Sequence, residues 1–319
     1  MHETAAIDYH VPVLLHEALD LVVTNPDGLY LDGTLGGGGH SKALIERLGP
    51  KGRLLAIDRD PEAILRAENW SLPYGARVRL IKGNFADTAA ILAGLDLAGV
   101  DGMLLDLGVS SRQLDESERG FSFMRSGPLD MRMDPTRGTS AAELVNTLPE
   151  GELEKIFRRY GEEPRARRAA KAIGAARAKS PLSTTIQLAE LIEKALGRSS
   201  GKHPATRVFQ ALRIAVNGEM EALEGILGSL PGILLPGGRI VVISYHSLED
   251  RLVKTAFRTL APHCTCPPLW PVCGCGTPGS MQVLTRKAIR PDLMEIETNS
   301  RARSAKLRAA ARLVKENAE

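Results

Sequence analysis

A chain of 319 residues with 43% hydrophobic, 25% charged and only 4% aromatic side chains has the composition of a globular protein with a Leu/Ile/Val/Ala core. It holds no run of about 18 apolar residues, and its start, Met1-His-Glu-Thr-Ala-Ala-Ile-Asp8, lacks the basic-then-apolar order of a secretory leader. A membrane protein is therefore not expected and a cytoplasmic one is, while a formal net charge of +3 is too small to argue for a nucleic-acid partner by itself.

The first segment, His10–Val23, reads as an amphipathic helix lying before the first strand. Strands and helices then alternate. Leu29–Asp32 is a strand followed by a helix over Ser41–Leu48, and Arg53–Asp58 a strand followed by a helix from Pro61 to Trp70. Arg77–Lys82 precedes a helix over Thr88–Ala93, and Val100–Asp106 is the fourth strand. Short apolar strands separated by helices imply a doubly wound, mostly parallel α/β sheet. From about residue 113 to 216 only helical runs are found, among them Ala141–Leu148, Glu150–Arg159, Ala166–Ala178 and Thr185–Leu196. This predicts a helical domain (113–216) inserted into a sheet domain made of 1–112 and 217–319. Pro236-Gly-Gly238 should turn the chain into a fifth strand, Arg239–Ser244, with a helix over Glu249–Leu260 behind it. Met281–Arg286 and Lys306–Leu313 fit a closing antiparallel pair, although the second fits a helix equally well.

The segment Asp32-Gly-Thr-Leu-Gly-Gly-Gly-Gly-His-Ser41 joins the first strand to its helix. That geometry brings backbone N–H groups close to a polar ligand, and glycines remove the Cβ atoms that would block the approach. The Gly36–Gly39 loop supplies the candidate contacts, with His40 just behind it at the start of the helix. Asp32, before the glycines, disfavours a pyrophosphate and suits an ammonium or a hydroxyl. Asp58 ends the second strand roughly 20 residues on, where a carboxylate can accept from ribose hydroxyls. Phe85 follows the third strand and could flank an adenine; Asp106 ends the fourth. Ligands of open parallel sheets bind outside these strand ends. Each residue also has a plainer reading, as a helix cap for Asp58 and Asp106, a first-turn residue for His40 or a core aromatic for Phe85. NAD-binding loops share the glycines and the second-strand acid, but their spacing is G-x-G-x-x-G and they need no acid before it. The combination therefore favours S-adenosyl-L-methionine over NAD.

With these residues in place the sequence resembles the bacterial 16S ribosomal RNA (cytosine-N4)-methyltransferases that act on the decoding-centre cytidine of the small subunit. The resemblance rests on His10–Ala18, Asp32–Ser41, Leu55–Pro61, Leu104–Leu114, Arg119–Arg125, Gly127–Asp134, His203–Arg207 and Ser244–Arg251. It implies a seven-strand methyltransferase-type sheet with an inserted helical domain that recognises RNA. It also implies S-adenosyl-L-methionine as cofactor and 16S rRNA in the small ribosomal subunit as partner, with no obligate protein partner. The family's cofactor contacts then fall on Gly38, Gly39, His40, Asp58, Phe85, Asp106 and Gln113, the last through the resemblance alone.

One departure bears on mechanism. Many enzymes that methylate exocyclic amines carry Asp/Asn-Pro-Pro-aromatic after the fourth strand, and here that place reads Asp106-Leu-Gly-Val109. Asp106 becomes the first candidate acceptor for the amine, with Tyr245 and His246, just past the fifth strand, as candidates for holding the base or as packing residues. C5-cytosine chemistry would need a cysteine nucleophile, and none lies near the fourth strand. All four cysteines, Cys264, Cys266, Cys273 and Cys275, fall in one Pro-rich stretch. Its two C-x-C units fit either a Zn²⁺ site or reduced structural thiols. Arg158, Arg159, Arg165, Arg167 and Arg168 form a basic stripe in the helical region, suited to RNA phosphates or to a solvated helix face.

Overall fold

The alternation read from the sequence is present in the structure, a computed structural model that describes residues 12–198, 201, 203–262, 266 and 279–314. Its elements begin with α1 (Leu15–Val22), β1 (Leu29–Asp32), α2 (Gly39–Arg47), β2 (Arg53–Asp58), α3 (Pro61–Ser71), β3 (Val78–Lys82), α4 (Thr88–Gly94) and β4 (Val100–Asp106). Helices follow: α5 (Ser111–Asp115), α6 (Ala141–Thr147), α7 (Glu150–Gly161), α8 (Ala166–Arg177), α9 (Thr185–Leu196), α10 (Ala205–Asn217) and α11 (Glu219–Ile233). The chain then returns to the sheet with β5 (Leu234–Ser244), α12 (Ser247–Leu260), β6 (Met281–Val283), α13 (Leu293–Thr298) and β7 (Lys306–Arg312).

Among the described residues the strands form one sheet in the order β3-β2-β1-β4-β5-β7-β6. Strands β1 to β5 are parallel, and β7 runs antiparallel between β5 and β6. The order reverses between β1 and β4, so their carboxyl ends open a crevice where both neighbouring connections turn away. Tyr30, Leu31, Leu54, Ile57, Met103, Leu104 and Leu105 are fully buried in the central strands, as expected for a sheet covered on both faces.

The chain divides into two units, Met1–Gly108 with Ala222–Glu319, and Val109–Glu221. The second is helical, with Val145, Leu153, Phe157, Ala169, Ile173, Ile192, Val208 and Leu212 fully buried within it. Its edges lie a few residues outside 113–216 for a local reason. Ser110 opens α5 with a capping box, and the first turn of α11 is held by Arg213 donating to Glu219 at 2.9 Å and Tyr160 donating to Glu221 at 2.7 Å.

Three elements differ from the sequence reading, and a fourth takes one of the two forms left open for it. α1 begins at Leu15, because Leu14 before it is left-handed (φ 53°). Pro236–Gly238 does not precede the fifth strand but sits inside it: pairing with β4 jumps from Val100–Leu234 to Gly102–Arg239, and Gly237 takes φ 80°. The Pro-Gly-Gly turn chemistry thus makes a bulge rather than a boundary. β6 is three residues rather than six, and Lys306–Arg312 is a strand. That strand is almost wholly buried between two neighbours, which overrides the helical composition of its alanines.

Candidate active site

The loop after β1 is built by its own acids. Asp32 is 1% exposed, and its carboxylate accepts from Thr34 N (3.0 Å) and from Ser41 Oγ (2.6 Å), clamping both ends of the glycine run. Burial raises its pKa, and the hydrogen bonds from Ser41 and Thr34 oppose that rise. Asp58, at the end of β2, accepts from Gly36 N at 2.7 Å and from Asp60 N at 2.8 Å. Burial pushes its pKa up to about 6 against the pull of those two amides. Gly36 (φ 48°) and Gly38 (φ 80°) occupy the left-handed region that side chains avoid. A methyl on Gly38 would also stand 2.7 Å from Trp70 Nε1, and one on Gly39 would run into Pro12. At Gly37 a methyl would meet no protein atom within 4 Å, so the loop's backbone is open at that point.

Asp106 closes the same crevice from β4. Its amide donates to Thr34 Oγ1 at 2.6 Å, which ties the end of β4 to the loop after β1. One carboxylate oxygen accepts from Tyr245 Oη at 2.8 Å, and the other lies 3.5 Å from His40 Nδ1. His40 Nε2 stands 3.0 Å from the carbonyl oxygen of Val13, which can only accept, so Nε2 donates there while Nδ1 faces Asp106. Burial raises the pKa of Asp106 while His40 and the Tyr245 hydrogen bond hold it down. Burial, and then the charge of Asp106, drive Tyr245 well above the usual phenol value, so this hydroxyl keeps its proton at neutral pH. The Asp106 side chain is 25% exposed, whereas Asp32 is sealed.

Tyr245 is aimed by Glu249, a 1%-exposed acid that accepts from the amides of Tyr245 (2.9 Å) and His246 (3.3 Å). His246 in turn caps α12 through Nδ1, which accepts from Glu249 N. That leaves His246 Nε2 buried with no hydrogen bond among the described residues, although Glu249 Oε1 lies 3.1 Å away out of line. His246 is therefore first a helix cap, and it follows Tyr245 directly in the chain.

Asp32, Gly36, Gly38, Gly39, His40, Asp58, Asp106, Tyr245 and His246 thus lie on neighbouring strand ends of one unit. Phe85 joins them from the end of β3, with its Cβ against the Cα side of Gly33. Gln113 belongs to the helical unit, where it is buried and completes the capping box with Ser110. Thr34, Ser41, Trp70 and Glu249 were missed from the sequence. Only Glu249 carried a signal, three residues after the cap as in a capping box; Trp70 reaches the loop through tertiary packing that no local pattern encodes.

The basic stripe is mixed. Arg158 pairs with Glu154 at 2.7 Å, and Arg165 donates to the Leu196 carbonyl and lies 3.6 Å from the buried Glu163. Arg159 lies over the Tyr160 ring. Arg167 and Arg168 are exposed on α8. Of the cysteines, Cys264, Cys273 and Cys275 lie outside the described residues, and Cys266 is half-buried. Among the described residues no helix is long and apolar enough to cross a membrane.

Residues 8–313 match the family model of the MraW methylases. The ribosomal RNA small subunit methyltransferase H of Thermomicrobium roseum is 52% identical over 305 residues, covering 95% of this chain and 94% of that protein. Its namesake from Syntrophotalea carbinolica is 51% identical over 314 residues, covering 97% and 100%. The one from Heliobacterium modesticaldum is 48% identical over 309 residues, covering 96% and 99%. Because the match takes in the glycine loop, the three strand-end acids and the Tyr245 turn alike, the chain belongs to the MraW methylase family.

Proposed function

We propose that this protein transfers the methyl group of S-adenosyl-L-methionine to the exocyclic N4 of a cytidine in the decoding region of 16S rRNA, acting on the small ribosomal subunit in the cytoplasm. The observation that carries the chemistry is the 2.8 Å hydrogen bond from Tyr245 to Asp106 at the mouth of the glycine loop. The relatives' shared name supports ribosomal RNA as the substrate.

The residues present fit this cofactor. Three carboxylates and an open backbone at Gly37 suit a ligand bearing an ammonium, a sulfonium and ribose hydroxyls, and would repel a pyrophosphate. Asp58 would take the ribose and Phe85 the adenine; Gly37, Gly38 and Gly39 would line the amino-acid end. Asp32 works indirectly, by clamping the loop through Thr34 and Ser41. In the helical unit, the exposed Arg167 and Arg168 would meet RNA phosphates.

When bound, the cofactor supplies an electrophilic methyl carbon. The cytosine amine is a weak nucleophile because its lone pair is delocalised into the ring. Tyr245 points its proton at Asp106, so its oxygen is left to accept from the amine N–H and localise that lone pair. As N4 gains the methyl group it becomes more acidic and loses its proton, and the raised pKa of Asp106 lets that carboxylate take it, directly or through Tyr245. His40 fixes the carboxylate from the other side. Alignment at the methyl carbon supplies most of the rest of the rate.

Equilibrium dialysis against S-adenosyl-L-methionine and NAD, followed by transfer of a labelled methyl group to small subunits from cells lacking the protein, tests this reading. Binding of the first cofactor alone and label in 16S rRNA are expected. Binding of NAD, or label only in protein, contradicts it.

A further inference from the structure

Away from the crevice, the sheet unit carries a second recess of about 280 Å³ between α12 and the β6–β7 edge. It is lined by Lys254, Phe257 and Arg258 of α12, by Val283, Thr285 and Arg286, and by Arg308 of β7. Phe257 and Thr285 are buried and form its floor, while Lys254, Arg258 and Arg286 are exposed at its rim.

Arg308 makes the recess more than a charged surface. Its side chain is only 10% exposed, and its Nε donates to Asp250 at 2.7 Å. Its two terminal nitrogens have no hydrogen-bond partner among the described residues, and the guanidinium borders the recess. A guanidinium with a buried stem and an unmet fork that opens on a recess suits a bidentate oxyanion. Asp250 does not neutralise the site, because Lys306 shares it at 2.9 Å. The described chain around β6 adds no acid either: from Gly279 to Pro291 the sequence contains neither Asp nor Glu. Four cations on apolar stems therefore face one carboxylate that is already doubly paired.

We infer that this recess holds a backbone phosphate of the RNA substrate, with Arg308 as the fork at its inner wall and Lys254, Arg258 and Arg286 as its rim. The inference rests on the reading of the protein as an RNA methyltransferase. The placement suits it, because α12 also carries the crevice residues: His246 caps its first turn, and Lys254 follows Ser247 by seven residues, about 10 Å along the axis. A phosphate fixed there would set the register of the strand whose base enters beside Tyr245.

The test is binding and methylation of small subunits by the full chain and by Lys254→Gln/Arg286→Gln, over a range of potassium chloride concentrations. Both residues are exposed and stand apart from the crevice, so melting temperature and cofactor affinity should stay at the wild-type values. Subunit affinity should fall about tenfold, and the slope of log K against log salt should flatten by about 0.7 to 0.9 for each phosphate charge no longer neutralised. A variant with wild-type affinity and slope overturns the recess as a phosphate site, whatever covers it instead. Wild-type protein that neither binds nor methylates the subunit would instead overturn the broader reading, so the two failures are distinguishable. Arg258→Gln alone gives a second arm: it should show a smaller loss in the same direction, and a gain of affinity would contradict the assignment.

Discussion

Tyr245 donates its hydroxyl proton to Asp106 across the ends of two adjacent parallel strands, 139 residues apart in sequence. The bond leaves an oxygen free to accept at the mouth of the crevice, and it orients an acid that stays partly exposed where Asp32 is sealed. Tyr245→Phe should therefore leave S-adenosyl-L-methionine affinity within about twofold while cutting turnover about 100-fold, the lower range for loss of a proton-transfer group. Single-turnover rates at saturating cofactor check this. An unchanged rate would reduce Tyr245 to packing.

Asp58 gives a pH dependence with a definite sign. Burial, aided by the charges of Asp60 and Asp32, lifts its pKa from 3.8 to about 6, against the amides of Asp60 and Gly36. The folded state thus holds this proton more tightly than the unfolded one, so the group's contribution to stability is present below 3.8 and lost as pH rises through about 6. Ribose hydroxyls prefer the ionised acceptor, so cofactor affinity should climb as pH rises through about 6 and then level off. Calorimetry on wild type and Asp58→Asn checks it: the variant should bind about tenfold more weakly, for the loss of a charge-assisted acceptor worth about 1.5 kcal/mol, and lose that rise.

Gly37 and Gly38 separate ligand contact from fold. Gly37→Ala meets no protein atom and needs no unusual backbone, so the protein should melt as wild type yet bind cofactor about tenfold more weakly if the ligand packs on that backbone. Gly38→Ala should unfold more easily by about 1–3 kcal/mol, because it forces a left-handed side chain against Trp70. Thermal melts and dialysis on the pair distinguish the two. Equal cofactor affinity in wild type and Gly37→Ala would move the ligand off the loop.

In the helical unit, Arg167→Glu/Arg168→Glu should weaken subunit binding and flatten its salt dependence without altering the melt, because both arginines are exposed on the surface of α8. Arg165→Ala should lower the melting temperature, since it removes the donor to the Leu196 carbonyl and a neighbour of the buried Glu163. An unaltered salt slope in the double variant would return those two arginines to an ordinary solvated face.

The parallel strands β1 to β4 were legible because each is a short apolar run closed by Gly or Asp, and β1, β2 and β4 match residue for residue. The three strand-end acids were legible for the same reason: an acid at the end of a buried strand stands out. Their division of labour was not. Asp32 reads like a ligand contact, yet it is sealed with Thr34 and Ser41 on its oxygens while Asp58 stays half-buried, and only the folded loop brings those two groups back to Asp32. Trp70 beside Gly38 and Arg308 beside Asp250 are likewise tertiary juxtapositions without a local signature. The alanine-rich β7 was ambiguous because burial between two strands, not propensity, decides its form.

The central claim is the position of the methyl group. Small subunits from cells lacking the protein should be treated with it and S-adenosyl-L-methionine, the 16S rRNA digested to nucleosides, and the products identified by mass spectrometry against authentic standards. One new methyl group is expected, on the exocyclic N4 of a cytidine in the decoding region, and it should be absent when Asp106→Ala replaces the wild-type protein at saturating cofactor. A 5-methylcytidine or ribose-methylated product, or a methyl group placed outside the decoding region, would contradict it.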